Sequence, residues 1–84
     1  MISKARRSFW ECFALLPPLV QQTAREKFQL WRRDPFNPSL HFKELKSGVW
    51  SVRVNQQYRA LGLREADTMV WFWIGPHSEY DKLI

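Results

Sequence analysis

Val49-Trp50-Ser51-Val52-Arg53-Val54-Asn55-Gln56-Gln57-Tyr58-Arg59-Ala60-Leu61-Gly62-Leu63-Arg64-Glu65-Ala66-Asp67-Thr68-Met69-Val70-Trp71-Phe72-Trp73-Ile74 decides the fold of this 84-residue chain. Residues 49–54, 58–64 and 69–74 are three runs rich in β-branched and aromatic side chains, separated by short polar loops. That pattern predicts an antiparallel meander. Taking Asn55-Gln56-Gln57 and Glu65-Ala66-Asp67 as three-residue hairpin loops sets the register. Val52 then faces Ala60, Ala60 faces Phe72, and Gly62 faces Val70. With Val54 and Ile74, that side is small and aliphatic, suited to packing under helices. The other side collects Arg53, Arg59 and Trp73 in one cross-strand row, and Ser51, Leu61 and Trp71 in the next. Neighbours in such rows stand about 4.5–5.5 Å apart at Cβ.

Working outward, residues 40–45 alternate Leu40 and Phe42 with His41 and Lys43, as a half-buried strand does, and Ser47-Gly48 is a turn. Upstream, residues 3–15 read as a helix capped by Ser3. Its stripe is Ala5, Phe9, Cys12, Phe13 and Leu16. Pro17-Pro18 ends it, because the residue before a proline avoids helical geometry. Pro18 suits the first turn of a second helix with Leu19/Val20, Thr23/Ala24, Lys27/Phe28 and Trp31 on its stripe. Arg32-Arg33 favour its negative dipole end, and Asp34-Pro35 stops it. The expected fold is α+β, a single domain over residues 1–84. An N-terminal αα-hairpin packs on a three- to four-stranded antiparallel sheet, followed by a short C-terminal turn or helix.

The chain carries 13 Lys+Arg against 8 Asp+Glu, a net charge of +5. The excess lies in residues 1–46; residues 47–84 are neutral. No stretch approaches the ~20 apolar residues of a membrane span, and the basic N-terminus lacks the apolar core of a secretion signal. A cytoplasmic location is the expectation. The single cysteine, Cys12, excludes an internal disulfide and a CxxC zinc or redox motif, and reads as a small core residue. No metal-ligand spacing, Gly-rich phosphate loop or Ser/His/Asp set is present, so no metal or cofactor is expected. Aromatic residues make up 15% of the chain, which with the positive charge is compatible with nucleic acid and equally with a protein surface. Exposed Trp10 and Trp31 on the helices would favour the latter.

Arg53 and Arg59 are the sharpest candidates. Two adjacent guanidiniums repel unless an anion bridges them, and Arg grips phosphate bidentately. With Trp71 and Trp73 on a flat sheet, they suit single-stranded RNA. The competing reading pairs each Arg with Glu79 or Asp81, or stacks it on Trp73. His77, Glu79 and Tyr80 follow the last strand. A metal-free ribonuclease needs one group to take the 2′-hydroxyl proton, another to protonate the leaving oxygen, and a cation to offset phosphorane charge. The plainer alternative has His77 and Glu79 capping a C-terminal turn. His41 reads as a solvated side chain on an edge strand.

Taken in order, several motifs resemble the RelE/ParE superfamily of toxins from bacterial type II toxin–antitoxin systems, over residues 9–84. They are the helical hairpin with Leu15-Leu16-Pro17, Asn37-Pro38-Ser39-Leu40, Phe42-Lys43-Glu44-Leu45, Trp50-Ser51-Val52-Arg53-Val54, Tyr58-Arg59-Ala60-Leu61, Trp71-Phe72-Trp73-Ile74-Gly75 and His77-Ser78-Glu79-Tyr80-Asp81. The resemblance implies a small basic toxin masked by a cognate antitoxin. RelE-like members cut mRNA on the ribosome through 2′-hydroxyl attack, whereas ParE-like members inhibit DNA gyrase and are not nucleases. It implies Arg53, Arg59, His77 and Tyr80 as catalytic positions; Lys43, Lys46, Trp71 and Trp73 are the expected RNA contacts. A catalytically lapsed antitoxin-binding member is a third form. Two departures stand out. Ser51 replaces a Lys common in strong nucleases, and Met1-Ile2 is too short for the strand that usually precedes the first helix. An open sheet edge would then be left for an antitoxin or a second copy.

Overall fold

The computed structural model describes residues 1–83; Ile84, the last residue of the motif resemblance, lies outside the described residues. The elements are β1 (Ile2–Ala5), α1 (Arg7–Ala14), α2 (Pro18–Arg33), a 3-10 turn (Pro38–Leu40), β2 (Lys43–Lys46), β3 (Val49–Arg53), β4 (Tyr58–Glu65), β5 (Thr68–Pro76) and α3 (His77–Tyr80). The sheet has five strands in the order β1-β5-β4-β3-β2. The helical hairpin and the antiparallel β2–β5 meander agree with the expected α+β class, and α2 begins at Pro18 and ends at Arg33 as its punctuation indicated.

The N-terminus corrects the sequence reading. Residues 2–5 form an edge strand parallel to β5, with Ile2 opposite Thr68 and Ala5 opposite Trp71, so the sheet is neither three- to four-stranded nor wholly antiparallel. Ser3 is no helix cap. Its Oγ accepts the Trp71 indole N–H at 3.0 Å, and the chain enters α1 through Arg6, whose side chain makes no capping bond. A local capping preference of about 1 kcal/mol yields here to ladder bonds at both ends of the strand, Ile2 N–H to Asp67 O and Arg6 N–H to Trp71 O. The chain itself thus completes the β5 edge that the sequence left for a partner.

The register is corrected in one place. Val52 does pair with Ala60, but Ala60 pairs with Ile74 and Gly62 with Trp71. The second hairpin turns on Ala66-Asp67 alone, Glu65 pairing Thr68, and a bulge near Phe72 restores the remaining ladder. An extra residue in a strand reverses the alternation beyond it. Trp71 and Trp73, expected on one face, therefore point to opposite faces. Trp71 and Met69 enter the core beside Val52, Val54, Ala60 and Ile74, taking the places assigned to Phe72 and Val70.

The centre of that core is Trp31, 1% exposed, where the apolar stripe of α2 put it and not on the surface. Its ring meets Phe42 and Trp71 edge-on at 5.9 and 5.4 Å and stacks on Phe28 at 6.1 Å. Residues 40–45 differ as well. Leu40 closes the 3-10 turn that Asn37 caps, His41 is left-handed at φ 46°, and the strand starts only at Lys43. Leu40 and Phe42 are both buried, so the alternation was read correctly while its backbone was not. Cys12 packs partly buried against the core. Trp10 is half exposed on α1, as the sequence suggested. Among the described residues no helix is long and apolar enough to cross a membrane.

Candidate functional site

The helices cover one face of the sheet; the other carries the arginines. Arg53 and Arg59 are direct cross-strand partners on β3 and β4, next to the Ser51–Leu61 pair. The hairpin joining them is built by Asn55, whose Oδ1 accepts N–H bonds from Gln57 and Tyr58 at 2.8 and 2.9 Å. This Asx-type turn presents its carbonyls inward. Arg59 Nη1 donates to the Asn55 carbonyl and, at 3.0 Å, to that of Tyr58. The turn therefore holds the guanidinium in place, and its Nε and Nη2 are free of hydrogen bonds within the described residues.

Arg53 Nη1 stands 3.3 Å from Nε2 of His41. Among the described residues neither guanidinium hydrogen-bonds a carboxylate, so the pairing with Glu79 or Asp81 is not what the fold builds. Burial, and then the neighbouring Arg53 charge, lower the Arg59 pKa, while Tyr80 pulls it the other way. Half-buried adjacent cations with no acidic partner among the described residues are suited to holding an anion.

Tyr80 reaches this place on α3, which packs on β4 and β5. Its ring lies 4.8 Å from that of His77, and the His77 backbone N–H donates to Gln57 O at 2.6 Å, tying α3 to the β3–β4 turn. Gln56, Gln57, Tyr58, Pro76, His77 and Ser78 line a shallow depression beside it. The fold thus brings Arg53, Arg59, Tyr80 and His77 to one corner of the sheet.

Trp73 pairs with Leu61, one row from Arg59, whose own partner is Gly75. A Cβ on Gly75 would stand 2.6 Å from Trp73 Cζ2, so the indole lies across the space that glycine leaves. It flanks the Arg59 row by this route rather than from within it. Trp71 is a correction: 6% exposed and in the core, it is absent from this face. Lys43 pairs with Ser51, and Lys46 pairs with Val49 after an irregularity at Leu45, which sets both exposed lysines along the outer edge of the arginine face. His41 was assigned to solvent. It is exposed, yet its ring meets Arg53, and no periodic signal could have announced that, because the contact depends on one left-handed residue. Among the described residues, no group of three His, Cys, Asp or Glu is arranged to hold a metal ion.

This is a small basic domain of the RelE/ParE superfamily of toxins: an αα-hairpin over a five-stranded sheet with a cationic open face. A family model described as the ParE-like toxin domain matches residues 18–82, and the chain belongs to that family. Solved structures with the same fold include the RelB–RelE antitoxin–toxin complex from Methanococcus jannaschii, at 15% identity and TM-score 0.76, covering 96% of this chain and 99% of that one. The RelBE2 toxin–antitoxin complex from Mycobacterium tuberculosis is 20% identical at TM-score 0.72, covering 92% and 91%. A YoeB/ParE toxin from Agrobacterium tumefaciens is 16% identical at TM-score 0.70, covering 92% and 99%. No curated protein sequence matches the chain.

Proposed function

We propose that this toxin is a ribosome-dependent mRNA endonuclease, cleaving by attack of a ribose 2′-hydroxyl on the adjacent phosphate. The observation that carries this reading is the Arg53–Arg59 pair, with no carboxylate bonded to it among the described residues and with Tyr80 and His77 at its end. Two cations hold the phosphate and offset the charge of the phosphorane, and titratable groups beside them move protons. Trp73 offers a stacking surface, and Lys43 and Lys46 line the path of the strand backbone. The cell would keep such a protein in check with a cognate antitoxin, as the RelB–RelE complexes of the same fold suggest. Activity would be cytoplasmic, where ribosomes are.

The family match to ParE-like toxins supports a second reading, inhibition of DNA gyrase without nuclease chemistry. Controlled expression separates the two. Cuts in mRNA at codon-related positions, lost in an Arg59→Ala/Tyr80→Phe double variant, are expected. Intact mRNA with stalled gyrase and SOS induction would establish the second reading instead.

A further inference from the structure

We propose that His41 is the base of this site, taking the 2′-hydroxyl proton at the Arg53 end while the His77–Tyr80 pair serves the leaving oxygen at the Arg59 end. The proposal rests on the nuclease reading and adds a residue to it.

His41 lies between Leu40, 0% exposed, and Phe42, 7% exposed, both locked in the core. Joining two buried anchors across the end of a 3-10 turn leaves its backbone left-handed at φ 46°, a conformation costing about 1–2 kcal/mol in a residue with a Cβ. The Pro38 carbonyl accepts its N–H at 3.3 Å. The product of that turn is a ring set beside Arg53 on β3, with Lys43 two residues along its own segment.

Chemistry assigns the atoms. A guanidinium has no acceptor and stays protonated, so Nη1 donates, Nε2 accepts with its lone pair, and the ring proton sits on Nδ1. In the free protein that lone pair is occupied by Arg53. When Arg53 turns to a phosphate oxygen, Nε2 is released beside the phosphate.

In-line displacement needs its base and its acid on opposite sides of phosphorus. His41 adjoins Arg53, whereas the Tyr80 charge acts on Arg59 and its ring lies tilted 4.8 Å from that of His77. The step balances as follows: Nε2 takes the 2′-hydroxyl proton, the O2′–P bond forms, the P–O5′ bond breaks, and a proton from the His77–Tyr80 pair goes to O5′. The products are a 2′,3′-cyclic phosphate and a 5′-hydroxyl.

Single-turnover cleavage of a defined mRNA on purified bacterial ribosomes tests this, with the toxin as His41→Gln. Glutamine keeps an acceptor for Arg53 but cannot take the proton. The rate at saturating ribosome is expected to fall about 100-fold with half-saturation unchanged, and the low-pH limb of the rate profile to flatten. A His41→Gly variant, which suits the left-handed backbone, should regain activity with added imidazole, and circular dichroism of both variants checks folding. A His41→Gln enzyme within threefold of wild type with the same low-pH limb would overturn the role of His41 and leave the nuclease reading standing. Wild-type toxin that cuts no mRNA on ribosomes would remove that reading and this one together.

Discussion

Arg59 does two jobs that can be separated. Its Nη1 closes the β3–β4 turn on two carbonyls, while Nε and Nη2 make no hydrogen bond among the described residues and are available to an anion. Arg59→Ala should therefore lower stability by about 1–2 kcal/mol, whereas Arg53→Ala, whose recorded bond is to an exposed histidine, should cost little. Urea titration measures the difference, and on the nuclease reading both variants should lose cleavage. Ala66 makes the opposite case. It stands at φ 52° at the first position of a two-residue turn, where glycine is preferred. Ala66→Gly is expected to raise stability by about 0.5–1 kcal/mol, a gain of a few degrees in Tm by thermal melting.

The irregularity in β5 governs the elements. By sending Trp71 into the core and leaving Trp73 outside, it converts one aromatic stripe into a core anchor and a surface platform. Gly62, opposite Trp71, makes the buried half possible, because a Cβ there would meet Met69 Cε at 2.6 Å and Trp71 Cε3 at 2.9 Å. Gly62→Ala should destabilise by about 1–3 kcal/mol through overpacking, read from the denaturant midpoint. Strand β1 supports the same tryptophan from the other side. Ser3→Ala removes the acceptor of the buried Trp71 N–H and should cost about 1–2 kcal/mol, whereas Ser3→Thr should restore most of it.

For the whole molecule, the question is where the +5 acts. Along the chain the excess belongs to the first 46 residues, apart from the arginine pair. In the fold, Lys43 and Lys46 from that half border the arginine face. Surface charges are screened beyond about 8 Å at physiological salt, so cations near the site steer a polyanion more than those on the helices do. If the nuclease reading holds, association with ribosomes should slow on the order of tenfold from low to physiological salt. A Lys43→Gln/Lys46→Gln variant should flatten that dependence more than Arg6→Gln/Arg7→Gln does, as stopped-flow binding would show.

Helix α2, the three central strands and the arginine pair were legible in the residues because each rests on a local signal: proline punctuation, helical or twofold periodicity, and short polar turns. The Val52–Ala60 and Arg53–Arg59 pairings followed from one hairpin loop. Strand β1, the faces of Trp71 and Trp73, and the contact of His41 with Arg53 were decided by tertiary structure. Each depends on a partner far along the chain or on a single residue out of phase: parallel pairing with β5, one extra residue in a ladder, one left-handed turn between two buried anchors. Periodicity carries information over a few residues. It cannot report where a bulge interrupts it, nor which distant strand will take up a four-residue segment with a serine at its centre.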